Sequence, residues 1–497
     1  MQTSISSKFI HAISYTALTS VVARFFGVTV TVLIARFLSS SELGLYTIIL
    51  STLGLFSTFV SCGQSLAATK MMAEYYTNDP QKAGRIFSLL FLILVCAAFV
   101  GIILYWFSVP FIAQTFSTNS DKLISLLRMS VIWLLITIFC QYFESVLIGL
   151  QGFKSFLFVQ SIYGIVNLPI IVCALLLSRA NLLTGLIIGS TIVSFLQLFV
   201  LVSSVFKEFK KYSIKISILS LGDLVQSVLI DFSFPAFITK LFEQPMSWLS
   251  ILLLTRLGGS LSYVGGLSVI TSIRTWILYF PSMVSNIMLP IFTDIYATRD
   301  KSIFEKTLIY NQRFIWLSTL PVICFSIVII KHCLRLVFGE TYEIYWLAAA
   351  IMLGASVLLP INEVNDKAMF SMNKIWLSIS FRLIYLLLFL VLLFIYVPKL
   401  NLLGYVIAWS ISYLIYVSIQ HVWLRFHTKS NLDIHLFLFS MIAVSLAGIL
   451  SRIENLSNCI LTSLFLSLFV LIYEYLYLLS TEERTVIFSL LKKLMRK

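Results

Sequence analysis

Charge is scarce in this chain, and what there is leans one way: Asp, Glu, Lys and Arg make up 11% of 497 residues, with 21 acidic against 35 basic side chains. Polar runs long enough to form a separate soluble domain are absent. So are a CxxC pair, a Cys/His arrangement at zinc spacing, an HExxH helix and a triad-like grouping of the five histidines. Each absence removes a class: a structural zinc module, a metalloprotease, a nucleophilic hydrolase. A Gly-rich phosphate loop is also missing, so ATP hydrolysis by the chain itself is excluded as an energy source. Nothing calls for a cofactor or a bound metal. The seven cysteines sit mostly inside apolar runs, where they read as packing residues.

What is abundant is apolar. Hydrophobic residues reach 59%, with 41 Phe and 22 Tyr, and the mean hydropathy is +0.99. Soluble domains do not reach such values, so the chain reads as an all-α, polytopic integral membrane protein. Apolar runs of about 20 residues suggest fourteen helices, centred near residues 24, 53, 97, 136, 167, 194, 243, 275, 322, 358, 387, 413, 443 and 469. The first run is too long for a signal-peptide core and lacks a small-x-small cleavage site, so it is expected to be retained. With the N-terminus in the cytoplasm, 21 of the Lys and Arg fall on the inner side and eight on the outer, as the positive-inside rule requires. An even count puts both termini in the cytoplasm. The net charge of +14 is scattered between spans rather than gathered into a patch, which speaks for topology and against nucleic acid.

Sliding the sequence against itself by 220 positions superposes "NLL" at 181–183 on "NLL" at 401–403, Arg36 on Arg256, Tyr76 on Tyr296, Lys154 on Lys374 and Glu74 on Asp294. Two copies of an even number of helices share one orientation, so the repeat implies a pseudo-twofold axis along the membrane normal. The expected organisation is a six-helix lobe over 1–206, a basic cytoplasmic linker over 207–224, a second six-helix lobe over 225–424, and two further helices with a basic tail over 425–497.

Six basic residues lie in or near spans: Arg24, Arg128, Lys240, Arg274, Lys367 and Arg382. A charge at mid-bilayer costs roughly 2.5 to 3.5 kcal/mol or more, so it faces a polar cavity or a partner. Thr16, Ser20, Arg24, Gly27 and Thr31 follow helical spacing on one stripe, which reads as a lumen wall. In the eighth span Thr271, Arg274, Leu278, Pro281 and Ser285 share a face. Lys240 and Glu243 are three apart and placed to pair, and Glu363 with Lys367 at i, i+4, beside Asp366, forms a cluster suited to a gate. Arg128 and Arg382 lie near enough to helix ends to snorkel. Ser20, Arg24, Thr31, Lys240, Arg274 and Lys367 are thus the candidate substrate-binding residues; Glu144, Asp231, Glu243, Glu363 and Asp366 are the candidates for gating or ion coupling.

Several stretches resemble the polysaccharide branch of the multidrug/oligosaccharidyl-lipid/polysaccharide flippase superfamily, the O-antigen and exopolysaccharide flippases. "ARFFG" followed by "ARFLSSSELGLYTIILSTLGLFSTF" is similar to that family's first two helices, and "SLAATKMMAEYYTNDPQKAGRI" to the loop after them. "DFSFPAF" at 231–237 and "SIRTWILYFPSMVSNIMLPIFTDIYA" at 272–297 resemble its seventh and eighth helices. The resemblance implies a V-shaped pair of lobes in a bacterial inner membrane that moves an undecaprenyl-pyrophosphate-linked oligosaccharide outward by alternating access. It also implies membrane lipids and glycan-assembly proteins such as a polysaccharide polymerase as partners. By position, Arg24 and Arg274 match arginines in cavity-lining helices of the family. The related lipid II flippases carry a second Arg about two turns after the first, where this chain has Thr31 and uncharged neighbours, which argues against lipid II as cargo.

Two rivals are weighed against this reading. A multidrug or cation antiporter of the same superfamily would rest on the carboxylates Glu144, Asp231, Glu363 and Asp366. A membrane-embedded polymerase or glycosyltransferase would need a sizeable outer loop, and the longest outer loops here are only about 15 residues.

Overall fold

The computed structural model describes residues 26–61, 63–116, 120–217, 242–279, 301–428 and 434–478, with isolated positions between 237 and 296. All regular structure within these residues is helical. The helices are α1 Phe26–Phe37, α2 Ser40–Ser61, α3 Gln64–Tyr75, α4 Pro80–Phe116, α5 Ser120–Gly149, α6 Phe153–Leu177 and α7 Leu182–Lys211. After a gap come α8 Glu243–Gly258, α9 Leu261–Ile277, α10 Lys301–Cys333, α11 Glu340–Glu343, α12 Trp346–Ala355 and α13 Leu358–Ser371. The last three are α14 Ile375–Thr428, α15 Ile434–Leu450 and α16 Leu456–Tyr473.

Among the described residues, nine helical stretches are long and apolar enough to cross a membrane, so the chain is a multi-pass membrane protein. α14 is two helices run together, broken at Asn401, whose φ of 53° and ψ of −126° are not helical. The expected count of fourteen spans also draws on residues outside the described ones, at the first and seventh positions.

Helix boundaries follow local chemistry. "SSSE" before α2 is a capping box: the Ser39 hydroxyl and backbone N–H both donate to Glu42 Oε2, at 2.9 and 3.1 Å, and the Glu42 N–H returns a bond to Ser39 Oγ. Asp79 accepts the Lys82 N–H at 2.9 Å and Pro80 opens α4, where its missing N–H costs nothing. Asn455 caps α16 by accepting the Ser457 N–H at 3.1 Å. Gly259, at φ 73°, ends α8 in the left-handed conformation that side chains resist. Within the spans many hydroxyls return their proton to the carbonyl one turn back, as Thr52 does to Ile48 and Ser412 to Ala408, which satisfies those donors inside their own helix.

The chain packs as two units, Met1–Gly265 and Gly266–Lys497, with the division falling inside α9. Of the expected linker at 207–224, residues 207–217 are described, and the first five continue α7 as helix. In the first unit α5 is the hub, packing against α2, α3, α4, α6 and α7. An aromatic knot of Phe87, Phe91, Tyr142, Phe143 and Phe209 fills the space between α4, α5 and α7, and the Tyr142 hydroxyl is satisfied by Phe87 O at 2.8 Å. In the second unit α10 is the hub, with Phe304, Leu308 and Ile315 meeting Val364, Ala368 and Met369 of α13 and Leu424 of α14. Arg313 donates to the Leu478 carbonyl and Trp316 to Ser440 Oγ at 2.9 Å, which tie α15 and α16 to α10.

Gly84 on α4 lets the chain just after α7 lie directly on it: a Cβ there would sit 1.9 Å from the Lys215 carbonyl oxygen. Backbone cannot rotate away as a side-chain tip can, so Gly84→Ala forces the two segments apart. Overpacking of this kind costs about 1–3 kcal/mol. The purified variant is expected to melt at lower temperature than wild type in a detergent thermal-unfolding assay, and an unchanged midpoint would contradict the contact.

Candidate functional site

Arg274 lies one turn before the end of α9. Its guanidinium sits over the ring of Trp409, 4.9 Å from the centroid. Trp409 stacks on Tyr413 at 5.1 Å, Tyr413 meets Tyr385 edge to face at 5.6 Å, and Tyr385 stacks on Tyr416 at 5.3 Å. Across this wall Tyr385 also stacks on Phe389, which meets Tyr405 edge to face at 5.5 Å. Among the described residues Arg274 has no carboxylate within ion-pair distance and no hydrogen bond. The ring face holds the cation electrostatically and fixes its plane, while the N–H donors remain unspent.

The expected stripe on this helix is only partly open. Thr271 donates to Leu267 O and stays half-buried beside Arg274. Leu278 and Ser285 are buried, and the Ser285 hydroxyl is taken by the Pro281 and Pro360 carbonyls. Those two positions pack inward because the chain after α9 lies against the start of α13.

Asp366, on α13, is the most heavily bonded carboxylate among the described residues. It accepts from Arg382 Nη2 at 2.9 Å, Ser378 Oγ at 2.5 Å and Gln420 Nε2 at 2.8 Å, with Asn362 Nδ2 at 3.5 Å. Arg382 therefore does not snorkel outward. The turn at Asn373, whose φ is 58°, folds α14 back along α13 and brings Arg382 onto Asp366. Glu363 and Lys367 do not form the expected i, i+4 pair: Glu363 Oε1 accepts from Ser282 Oγ at 3.0 Å, and Lys367 is half-buried. Arg128 is exposed and lies 5.1 Å from the Trp106 ring.

In the first unit Glu144 Oε1 accepts from Gln160 Nε2 of α6 at 2.9 Å and Gln197 Nε2 of α7 at 2.8 Å. Thr31 is half-buried and donates to Gly27 O at 2.8 Å, and a Cβ on Gly27 would meet nothing within 4 Å. Glu243 is exposed in the first turn of α8. Arg24, Ser20, Lys240 and Asp231 lie outside the described residues, as does the pairing of Lys240 with Glu243.

The aromatic wall is what reading the spans for charge passed over. Tyr405, Trp409, Tyr413 and Tyr416 are spaced four, four and three apart, so one face of α14 carries them all. One turn further on that face is Gln420, the Asp366 donor, which places the Arg274 and Asp366 sites about 16 Å apart along α14 at 1.5 Å per residue. The periodicity was in the sequence; the basic residue the wall holds comes from another helix.

No curated protein matches the sequence. Among solved structures the chain is similar to MurJ, a lipid II flippase in an inward closed conformation, with 17% identity, a TM-score of 0.71, and 92% of this chain and 96% of that chain covered. It is also similar to an inward-facing multidrug resistance MATE family transporter, at 13% identity and a TM-score of 0.60 over 82% of this chain and 94% of that chain. A third match is a MOP superfamily transporter from Pyrococcus furiosus Vc1, at 12% identity and a TM-score of 0.62 over 84% and 95%. These likenesses show that the chain shares the fold of those proteins. A family model described as polysaccharide biosynthesis protein matches residues 9–296. That match covers more than half of the sequence, and the chain belongs to the polysaccharide biosynthesis protein family.

Proposed function

We propose that this protein is a flippase that carries an undecaprenyl-pyrophosphate-linked oligosaccharide, an O-antigen or exopolysaccharide repeat unit, across the bacterial inner membrane. Both termini face the cytoplasm in this reading, and the chain performs no covalent chemistry. The observation that supports it best is Arg274. An internal guanidinium with no carboxylate of its own, steadied by an aromatic face, is suited to an anion that arrives from outside the protein. A diphosphate presents paired oxygens that match the planar fork, and Arg keeps its charge at any physiological pH. Family membership supplies the polysaccharide context. Arg24, at the matching place in the first span, is the second cationic contact in this reading.

The test is surface glycan in a strain deleted for this gene and complemented with the full chain. Restored glycan together with removal of a cytoplasmic lipid-linked intermediate supports the flippase. Unchanged glycan with altered resistance to cationic drugs would move the protein to the antiporter reading.

A further inference from the structure

In the first unit α7 carries one exposed stripe along most of its length. Ile188, Ile192, Phe195, Phe199, Phe206 and Lys210 fall on it at helical spacing, and each is exposed. Ser203, the polar residue among them, returns its proton to Phe199 O at 2.8 Å. Leu201, Val205 and Phe209 turn the other way and are buried. From Ile188 to Phe206 the stripe rises about 27 Å at 1.5 Å per residue, close to the roughly 30 Å of a bilayer's hydrocarbon core. Just past Phe206 the exposed residues turn basic, with Lys207, Lys210 and Lys211 in the last turns of the helix.

α6 lies antiparallel beside α7 and shows the same change in reverse: exposed Lys154 comes one turn before exposed Phe158. The Ser155 hydroxyl donates to Glu208 Oε1 at 2.8 Å, which sets the start of α6 level with the end of α7. After α7 the chain turns back at Ser213, whose φ is 54°, and the Ile214 N–H bonds to Phe209 O at 2.9 Å. Lys215 and Ile216 are left exposed at the same end.

Glu208 is the one acidic residue of α6, α7 and 212–217, against the five lysines. It is buried and spent on Ser155 and on Lys211, whose Nζ lies 3.1 Å from Oε2. It therefore does not offset the exposed charge of Lys207, Lys210 and Lys215. The connection at the opposite end of the helix pair carries a single basic residue, Arg179. The positive-inside rule asks only that lysines lie between spans. Here they stand at the foot of an apolar stripe of bilayer length, the level of the phosphates, where a lysine stem covers apolar surface while its ammonium meets the headgroup.

We propose that the start of α6, the end of α7 and residues 212–217 bind the headgroup of an anionic phospholipid of the phosphatidylglycerol kind, with its acyl chains along the exposed α7 stripe. The site is separate from Arg274 and does not depend on what the chain carries.

The test uses the purified full-length protein in a neutral detergent, with phosphatidylglycerol and phosphatidylcholine of equal chain length in competition and bound lipid counted by native mass spectrometry. The wild type is expected to retain phosphatidylglycerol in preference, and added NaCl to weaken that preference. Each lysine is worth about fivefold at an anionic surface. Lys210→Gln alone is therefore expected to lose about fivefold, and Lys207→Gln, Lys210→Gln and Lys215→Gln together at least tenfold, with the thermal midpoint in detergent unchanged. The same three positions changed to Arg keep the charge and are expected to keep the preference, as is Lys399→Gln, which lies in α14 of the second unit. Inorganic phosphate is expected to leave the lipid bound; phosphate that displaces it at equal concentration would assign the lysines to a soluble anion and overturn the lipid site. A wild type that retains both lipids equally, or a folded triple Gln variant with the wild-type preference, would also overturn it.

Discussion

Cells whose only copy of the protein carries Arg274→Ala are expected to lose surface glycan by about 30-fold or more, with normal amounts of folded protein in the membrane. The magnitude follows from the partner lost. Truncating one side of a desolvated, hydrogen-bonded charge pair costs about 2–5 kcal/mol, and each 1.4 kcal/mol is tenfold. Stability should not fall, because Arg274 makes no ion pair whose loss would strand another charge. Removing a cation from an apolar span relieves a cost of roughly 2.5 to 3.5 kcal/mol, so the thermal midpoint is expected to hold or rise. Arg274→Lys separates charge from shape. It keeps the positive end but gives up the planar fork and the stack on Trp409, and it is expected to recover only part of the transport. Full activity in the Ala variant, at wild-type abundance, would remove Arg274 from the site.

Asp366→Ala should fail differently, at folding. The Asp366 carboxylate is only 5% exposed and answers Arg382, Ser378 and Gln420 together. Deleting it takes the carboxylate away from Arg382, Ser378 and Gln420 at once, and breaking one side of a buried pair costs about 3–5 kcal/mol. Much of a membrane protein's margin is of that size, so the variant is expected to be scarce in membranes and to melt well below wild type. The paired change Asp366→Leu with Arg382→Leu leaves no unpaired charge and should recover a large part of the loss. If Asp366→Ala melts like wild type, the bonds drawn to it do not hold the second unit together. The contrast between the two variants is diagnostic: in the proposed function Arg274 serves a ligand, whereas Arg382 is paired with Asp366 and serves the fold.

The difference between Arg274 and Arg382 also marks what could be read from the chain before its structure. Both are basic residues in apolar surroundings, and spacing alone placed Arg274 in a span and Arg382 near a helix end. The partner of Arg382 lies 16 residues earlier and is brought to it by the turn at Asn373, a tertiary event that no single-helix pattern reports. Likewise Glu363 and Lys367 stand at ideal helical spacing, yet Glu363 turns to Ser282 on a neighbouring segment. Local chemistry was far more legible. Ser39 with Glu42, Asp79 with Pro80, and Asn455 each announce a helix start through neighbours within three residues. Glu144 could be singled out as an acidic residue in an apolar run, but Gln160 and Gln197 come from two other helices and carry no signal of their own. The all-helical membrane class follows from composition, because backbone buried in lipid has few other ways to satisfy its polar groups.

The central claim is translocation of a lipid-linked oligosaccharide, and it is tested most directly with the purified protein in vesicles preloaded with that lipid on the inner leaflet. A glycan-specific lectin or glycosidase added outside reports arrival on the outer leaflet. The account predicts that accessible glycan rises with time for wild type, and that vesicles containing Arg274→Ala remain at the level of protein-free vesicles. Wild-type vesicles that expose no more glycan than empty ones, with the protein folded and inserted, would contradict it.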